Sequence, residues 1–380
     1  MAEAIDLQTL LNRYLTRYRQ HHRLDRRRLQ VLSHLQACRS EAMGGVVLQC
    51  APCGQERLHY YACRDRHCPR CQWQASQQWV QKQLRSQLPV NYHHLVFTLP
   101  EALNGWVELH PELIYRLLFQ AAWSTLRAFG EDPKRLGGQL GMTAVLHTWG
   151  TSLTRHVHLH CLVPGGALRP DGGWQPSRSH YLFPVRALSR HFRGGLVSAL
   201  RTCARAGELT RVTRPGEIDA LLDGLMAQDW VVYSKPCLQA DHVIEYLARY
   251  THRTAISDGR LLGLADDRVS LRYKDYRDGR WKVMALDAEV LIQRFLLHIL
   301  PRGLVRIRHY GFLANACRAK KLPRLRQAIA ETRQARPEAG EPEPDTAKAG
   351  GGWCLPCPRC QRPMRVVAQR PAPWQRRESG

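Results

Sequence analysis

The chain has 380 residues, and its 56 lysines and arginines outnumber its 32 aspartates and glutamates, which gives a formal charge of +24 and a pI near 10.0. This length allows two or three domains and a sizeable core. So large a positive charge indicates a polyanionic partner, and nucleic acid is the obvious one. No apolar stretch approaches the roughly 20 residues that span a bilayer, and no signal-peptide pattern opens the chain. We therefore expect a cytoplasmic protein with no membrane partner.

Residues 1–37 have a helical pattern, because Leu7, Leu10, Leu11, Tyr14 and Leu15 recur at helical spacing. The same stretch is rich in arginine, which favours a surface that contacts phosphates, although a solvated charged face is the alternative. The arginines assigned to DNA binding in this stretch are Arg13, Arg17, Arg19, Arg23, Arg26, Arg27 and Arg28.

The 13 cysteines are expected to be metal ligands or isolated thiols in a reducing compartment, and most of them are clustered. Cys50 with Cys53 and Cys68 with Cys71 form two Cys-x2-Cys pairs, with residues 54–67 between them. This spacing is typical of a four-cysteine zinc site. The sequence therefore predicts a structural zinc ion bound by these four thiolates.

Three further candidate ligands, Cys38, Cys63 and His67, lie beside this predicted site. They can hold a second zinc ion, with His59 as a fourth ligand, or Cys63 and His67 can replace one of the first four ligands. Buried thiols and a surface imidazole without metal are the other interpretation. Near the carboxyl terminus, Cys354, Cys357 and Cys360 form only half of such a site, and the sequence leaves open whether they bind metal.

Between these two cysteine-rich ends, the pattern alternates between strands and helices. Strands are predicted at "HHLVFTLP", "GMTAVLHTWG", "TRHVHLHCLVPGG" and "WVVYSK", and helices at residues 73–87, "ELIYRLLFQAAWSTLRAFG" and "ADHVIEYLARYTHR". A hairpin is predicted at "RVSLRYKDYRDGRWKVMAL", with Asp278 and Gly279 in its turn. Beyond Arg326 the helical pattern fades into a Pro-, Glu- and Gly-rich stretch, which predicts a disordered linker.

Three histidines, His156, His158 and His160, occupy alternate positions of one predicted strand. Alternate residues share a strand face and lie about 6.6 Å apart along it, so the outer two are about 13 Å apart. One ion cannot bridge that distance, but either neighbouring pair can chelate it. An exposed or hydrogen-bonded row of histidines is the alternative.

Tyr246 and Tyr250 lie four residues apart in a predicted helix, so their side chains meet on one face. Both rings can simply pack in a core with Val243 and Leu247. Together with the histidines, however, they fit one chemistry. A metal held by imidazoles polarises a scissile phosphate, and a tyrosine hydroxyl attacks it to leave a phosphotyrosine on the DNA.

Several long motifs carry a resemblance to a known family. They are "HVHLHCLVPGG" at the histidine strand, "VLHTWG" before it, "CRDRHCPRCQ" in the cysteine-rich region, "YLARYTHRTAIS" around the tyrosines and "RFLLHILPRGLVRIRHYGFLAN" near residue 300. At these motifs the chain resembles the two-tyrosine HUH transposases of the rolling-circle insertion sequences, the IS-ninety-one family.

The resemblance implies an α/β (α+β) fold, in which an amino-terminal helical and zinc-binding domain precedes an HUH palm domain with a central antiparallel sheet. It makes His158 and His160 the ligands of the catalytic ion, with His156 flanking them, and Tyr246 and Tyr250 the nucleophiles. Arg249 and Arg253, beside the tyrosines, are assigned to DNA binding. The predicted organisation is a basic helical arm at 1–37, a zinc-binding domain at 38–88, the two-tyrosine catalytic domain at 89–326, a disordered linker at 327–353 and a basic, cysteine-containing tail at 354–380.

The implied activity is metal-dependent nicking of single-stranded DNA and strand transfer through 5'-phosphotyrosine intermediates. A phosphate-activating site favours Mg²⁺ or Mn²⁺. The third ligand stays open; a carboxylate or an amide is usual, and Glu245, Asp241 and His242 are candidates. The expected partners are single-stranded DNA of the element ends and of the target. A host helicase is a further expected partner, because the sequence has no P-loop.

Two alternatives remain from the sequence. A plasmid replication initiator or relaxase would share the histidine pair and the tyrosines. A non-enzymatic, zinc-dependent DNA-binding regulator would explain the charge and the cysteines, but it leaves the histidine strand and the tyrosine pair unexplained.

Overall fold

The computed structural model describes residues 3–84, 86–178, 181–212, 215–237, 254–334 and 355–373. Within these residues the fold is mixed α+β with antiparallel sheets, as predicted. The helices are α1 (Leu7–His21), α2 (Arg26–Ala37), α3 (Pro69–Leu84), α4 (Asn104–Leu109), α5 (Pro111–Glu131), α6 (Val185–Arg205), α7 (Pro215–Ala227), α8 (Ala288–Leu296) and α9 (Arg318–Gln334). The strands are β1 (Gly45–Gln49), β2 (Glu56–Tyr60), β3 (Tyr92–Thr98), β4 (Gly141–Trp149), β5 (Arg155–Pro164), β6 (Gly166–Leu168), β7 (Trp174–Pro176), β8 (Val232–Cys237), β9 (Leu261–Ala265), β10 (Arg268–Lys274), β11 (Trp281–Asp287), β12 (Ile307–Gly311) and β13 (Arg365–Arg370).

The first two helices begin at aspartate caps. Asp6 accepts a hydrogen bond from the Thr9 amide, and Asp25 accepts one from the Arg28 amide, both at 2.8 Å. Such caps satisfy amides that lack a partner within the helix. The buried face of α1 packs with residues from β9, β10 and α8 in one apolar core. The predicted arm is therefore helical and shares a core with residues 254–296.

The central sheet has the strand order β12-β4-β5-β3-β8, with antiparallel pairing throughout. Since side chains alternate across a strand, this sheet has two different faces. Apolar residues such as Phe97, Leu146 and Leu159 point to one face and pack against α5 and α6 in the largest core. The opposite face carries His94 of β3, His147 of β4, and His158 and His160 of β5.

The cysteine-rich region, where the sequence predicts zinc binding, is attached to this sheet through α3. Trp79 of α3 packs against Tyr92 and Leu162, which lie on the histidine face. Arg306, buried before β12, donates to the Gln72 side chain at 2.9 Å. Burial lowers the pKa of Arg306 to about 10. These contacts fix α3 against the central sheet.

Several predicted elements are confirmed, and two boundaries are corrected. The hairpin forms between β10 and β11, with Lys274 opposite Trp281 and with Gly279 at a φ of 71° in the turn. Helix α3 begins at Pro69 rather than residue 73. The prediction of a disordered linker from residue 327 was wrong at its start, because α9 continues to Gln334 and buries Ala328 and Ile329 against Leu88 and Phe312. No helix in the described part of the chain is long and apolar enough to cross a membrane.

Candidate active site and metal-binding clusters

The histidine cluster is built by the register of two neighbouring strands. His158 and His160 alternate along β5, and His147 of β4 lies directly opposite His158. The ligand nitrogens of these three residues all lie within 4.8 Å of one another, and all three side chains are buried. Paired strands therefore bring together three imidazoles from two separate parts of the sequence.

Two hydrogen bonds orient the β5 imidazoles. His158 Nδ1 donates to the backbone oxygen of His156 at 2.9 Å, so Nε2 is the nitrogen that faces the other histidines and would bind an ion. His160 Nδ1 lies 2.9 Å from His94 Nε2. The Nε2 atoms of His158 and His160 are then only 3.0 Å apart. Two adjacent ligands of an octahedral ion, each about 2.1 Å from it, are separated by about 3.0 Å, so this pair fits one divalent ion.

The third histidine was not identified from the sequence, where a carboxylate or an amide was expected. His147 stacks on Trp149 with ring centroids 4.6 Å apart and an interplanar angle of 20°. It meets the His160 ring edge-on at 4.6 Å. The signal was present in "VLHTWG", but its importance depended on knowing that this strand pairs with the histidine strand.

His94 is a further residue that the sequence did not single out. It lies on the same sheet face, since its register partner Leu162 is two residues beyond His160. Burial lowers the pKa of His94 to about 4, so the ring is neutral at neutral pH. A neutral His94 can accept the Nδ1 proton of His160 through Nε2, and such outer hydrogen bonds orient metal-binding imidazoles. His156 is exposed and lies outside the cluster, which agrees with a flanking position.

The cysteines form two clusters whose composition differs from the prediction. Cys38, Cys63, Cys68 and Cys71 form one group, and Cys50, Cys53, Cys357 and Cys360 form the other. The predicted site of Cys50, Cys53, Cys68 and Cys71 is therefore wrong as a single set. Linear spacing misled the prediction, because the β1–β2 hairpin turns the Cys50–Cys53 loop away from the start of α3 and towards the carboxyl-terminal segment.

Sulfur spacing in the first cluster fits a tetrahedral zinc site. Cys38 Sγ lies 3.6 Å from Cys71 Sγ and 3.7 Å from Cys68 Sγ, and Cys63 Sγ lies 3.7 Å from Cys71 Sγ. Four sulfurs about 2.3 Å from one zinc ion are separated by about 3.8 Å, whereas a disulfide is about 2.05 Å long. Cys38, Cys68 and Cys71 are buried in the core that contains α1 and α2.

His67 is not a ligand of this cluster, which corrects its tentative assignment to zinc. Its Nδ1 lies 2.7 Å from an Asp65 carboxylate oxygen, and its Nε2 accepts the Leu300 amide at 3.1 Å. Both ring nitrogens are thus occupied, and the bond from the Leu300 amide connects this cysteine-rich region to the segment before β12. Burial alone would raise the pKa of Asp65, but hydrogen bonds from His67 and His34 hold it well below its usual range.

Four of the seven amino-terminal arginines have partners within the protein. Arg13 forms two hydrogen bonds with Glu3, and Arg17 pairs with Asp267 and Glu289. Arg28 pairs with Asp25, and Arg27 donates to the Leu300 carbonyl at 3.4 Å. The remaining three arginines are exposed: Arg19, Arg23 and Arg26.

Some predicted site residues lie outside the described residues. They include both proposed nucleophiles and the two arginines beside them: Tyr246, Tyr250, Arg249 and Arg253. The predicted helix "ADHVIEYLARYTHR" and Cys354 lie there too. These assignments stay predictions. The segment that carries the tyrosines directly follows β8, which is an edge strand of the histidine-bearing sheet.

The described fold thus combines a cysteine-rich, zinc-binding region with a sheet that holds a histidine cluster. Comparison with known families agrees, since residues 10–99 match the model described as "Transposase zinc-binding domain" and residues 141–321 match the one described as "Putative transposase". The chain is 40% identical to "Putative transposase y4qJ" of Sinorhizobium fredii (strain NBRC 101917 / NGR234), over 95% of this chain and 94% of that protein. It is 27% identical to "Transposase for insertion sequence element IS801" of Pseudomonas savastanoi pv. phaseolicola, over 79% of this chain and 74% of that protein.

These matches establish that the chain belongs to the IS-ninety-one family of transposases. The match to the zinc-binding family model contains all four cysteines of the first cluster, together with Cys50 and Cys53 of the second, and it supports structural zinc in this region. The second family match contains His147, His158 and His160. No solved structure matches the chain significantly.

Proposed function

We propose that this protein nicks single-stranded DNA and transfers the cut strand through 5'-phosphotyrosine intermediates, as the transposase of a rolling-circle insertion sequence. The observation that carries the proposal is the cluster of His147, His158 and His160 on one face of the central sheet. Three imidazole ligands leave further coordination positions open, which is what a substrate-binding metal site needs. A DNA substrate is implied by membership of a transposase family.

The proposed ion is Mg²⁺ or Mn²⁺, and Mn²⁺ tolerates imidazole ligands better. When bound, such an ion would polarise the scissile phosphate and offset its charge. The protein's own contribution is to fix the imidazoles. The His156 carbonyl holds His158, and His94 holds His160, each at 2.9 Å. The site is therefore preorganised by the sheet before substrate arrives.

The proposed nucleophiles are Tyr246 and Tyr250. A tyrosine oxygen attacks the phosphorus, the bond from phosphorus to the 3' oxygen breaks, and the leaving strand takes up a proton as a 3' hydroxyl. The 5' end stays attached as a phosphotyrosine ester, so the energy of the phosphodiester is conserved and the strand can be rejoined elsewhere. Transfer from donor to target needs two such cuts, which is why two tyrosines are proposed.

The DNA is proposed to run across the histidine face beside β8. Tyr233 and Lys235 are exposed and lie opposite Val96 and His94, so both belong to that face. The Tyr233 ring meets His94 edge-on at 6.2 Å. An exposed aromatic ring can stack on an unpaired base, and a lysine can contact the neighbouring phosphate.

The positive charge of +24 supports binding to the DNA backbone at several places. Arg19, Arg23 and Arg26 are exposed and are proposed to contribute, as are Arg249 and Arg253. Arg13 and Arg17 already pair with carboxylates, so we assign them to fixing α1 in place. Residues 89–326 are proposed as the catalytic domain. A host helicase is proposed to supply the unwinding.

Incubation with single-stranded oligonucleotides from the ends of the element tests the proposal. With Mn²⁺, the wild-type protein should form a covalent protein–DNA band that resists denaturation. His158→Ala and His160→Ala should form none yet still bind DNA, while His156→Ala should retain most of the product. Binding without any covalent product under these conditions would instead favour a non-enzymatic DNA-binding regulator. A replication initiator or relaxase would cleave an origin sequence in preference to the element ends.

A further inference from the structure

The second cysteine cluster joins the two ends of the chain. Cys50 and Cys53 lie in the loop between β1 and β2, whereas Cys357 and Cys360 lie just before β13. The family match for the zinc-binding domain ends at residue 99. The carboxyl-terminal pair therefore has no assigned role.

The two cysteine loops have the same backbone geometry. The Cys50 amide donates to the Gln55 carbonyl at 2.9 Å, and the Gly54 amide donates to the Cys50 carbonyl at 2.8 Å. In the other loop the Cys357 amide donates to the Arg362 carbonyl at 2.8 Å, and the Gln361 amide donates to the Cys357 carbonyl at 2.9 Å.

The fifth residue of each loop also has a left-handed backbone. The φ angle is 66° at Gly54 and 60° at Gln361. A non-glycine residue seldom adopts this conformation unless its surroundings enforce it. The two loops are thus equivalent turns, each presenting two sulfurs towards the same point.

The sulfurs meet at distances suited to a shared ion. Cys50 Sγ lies 3.4 Å from Cys360 Sγ, and Cys53 Sγ lies 3.6 Å from both Cys357 Sγ and Cys360 Sγ. These distances are near the value of about 3.8 Å for thiolates around a tetrahedral zinc ion and well beyond a disulfide bond. Cys50 and Cys357 are fully buried.

Outside the cysteines, one strand pairing and a small apolar cluster connect this segment to the amino-terminal region. Strand β13 pairs antiparallel with β1, from Gly45 opposite Arg370 to Gln49 opposite Arg365. All six of its side chains are exposed. Besides the cysteines, the buried side chains of this cluster are only Leu48 and Met364. So small an apolar core gives weak stabilisation, and a bound ion supplies stability directly in modules of this size.

We propose that Cys50, Cys53, Cys357 and Cys360 bind a second structural zinc ion that fastens residues 355–373 to the amino-terminal region. The chain then holds two zinc ions, one within the amino-terminal region and one shared between the two ends. This site does not depend on the nuclease function, because its test measures metal content and attachment of the segment.

Elemental analysis of the full-length protein tests the number of ions. Wild type should contain two zinc ions per chain, and the double variant Cys357→Ser, Cys360→Ser should contain one. Cys317→Ser is the matched control, since Cys317 lies outside both clusters and donates to the Gly311 carbonyl; it should keep two. One zinc in wild type, two in the double variant, or iron in place of zinc would each overturn the proposal.

A second measurement covers the case in which the double variant fails to fold. A protease recognition sequence inserted between residues 340 and 350 allows the otherwise wild-type, folded protein to be cut. The carboxyl-terminal fragment should then co-purify with the rest of the protein and separate once a chelator removes zinc. Its release on cutting alone, or its retention after zinc has been removed, would contradict a zinc-held segment.

Discussion

His147 of β4 and His158 of β5 lie directly opposite each other. The register of these two strands therefore adds His147 to the pair formed by His158 and His160. Because His147 is a direct ligand in the proposed site, His147→Ala should lower Mn²⁺ affinity by at least the roughly 10–100-fold seen for outer hydrogen-bond partners. It should abolish DNA cleavage while leaving DNA binding intact. Calorimetric titration with Mn²⁺ and the oligonucleotide cleavage assay check this, with His156→Ala as the control. Normal cleavage by His147→Ala would remove it from the ligand set.

His94 is expected to act through His160 as a positioning residue. His94→Phe keeps the aromatic volume but removes the acceptor for His160 Nδ1, so Mn²⁺ affinity should fall by about 10–100-fold. His94→Gln retains an acceptor at nearly the same place and should recover part of that loss. A purely structural role predicts unchanged Mn²⁺ affinity in His94→Phe once the folded fraction is matched, and that result would reject the positioning role.

The first cysteine cluster should be needed for folding of the amino-terminal core. Cys68→Ser removes a ligand buried beside α1 and α2, and closed thiolate sites contribute directly to folding. We expect loss of the cooperative thermal transition of this region and rapid proteolysis of residues 3–84. Cys53→Ser alters only the second, smaller cluster and should leave this transition in place. Equal damage from the two variants would argue against two separate sites.

Tyr246 and Tyr250 are expected to act in sequence as two nucleophiles. Each single Tyr→Phe variant should still form a covalent adduct through the remaining tyrosine, but neither should complete strand transfer, because an esterified tyrosine cannot attack again. The double variant should form no adduct. Adduct formation on oligonucleotides and transposition of a marked element are the two measurements. If one single variant transposes normally, that tyrosine is not a required nucleophile.

His298 should make stability depend on pH on the acidic side. Burial lowers its pKa to about 4, and its ring lies between the Thr148 hydroxyl and the Leu153 carbonyl, at 3.3 and 3.1 Å. The unfolded chain, with a reference pKa of about 6.5, then binds more protons between pH 6.5 and 4. The stability that depends on a neutral His298 is therefore fully present above about pH 6.5. It falls as the pH drops and is lost by about pH 4.

The lowering of the His298 pKa from about 6.5 to about 4 corresponds to a change of about 3 kcal/mol at most in the free energy of unfolding. Urea unfolding of wild type and His298→Phe between about pH 7 and pH 4.5 measures it. The variant is less stable at pH 7, but its stability should change less over this range. A variant at the exposed His21 serves as the control. Parallel pH profiles for wild type and His298→Phe would contradict the assignment.

Much of this protein was predictable from local sequence. Helix α1 follows from apolar spacing and the Asp6 cap, and the hairpin follows from the Asp278-Gly279 turn. The family was identifiable from motifs around the histidines and tyrosines, because the histidines lie close together in one motif and the tyrosines in another. The pairing of His158 with His160 as neighbours on one strand face follows directly from the two-residue period of a strand.

The tertiary structure decided which distant groups meet. His147 joined the histidine pair because β4 pairs with β5 in one particular register, and His94 reached His160 because β3 pairs on the other side. The cysteines divided into two clusters because β1 pairs with both β2 and β13, which brings Cys357 and Cys360 to Cys50 and Cys53. Spacing along the chain specifies local turns, but strand pairing depends on hydrogen bonds and burial between segments that are far apart in sequence, so no local pattern contains it.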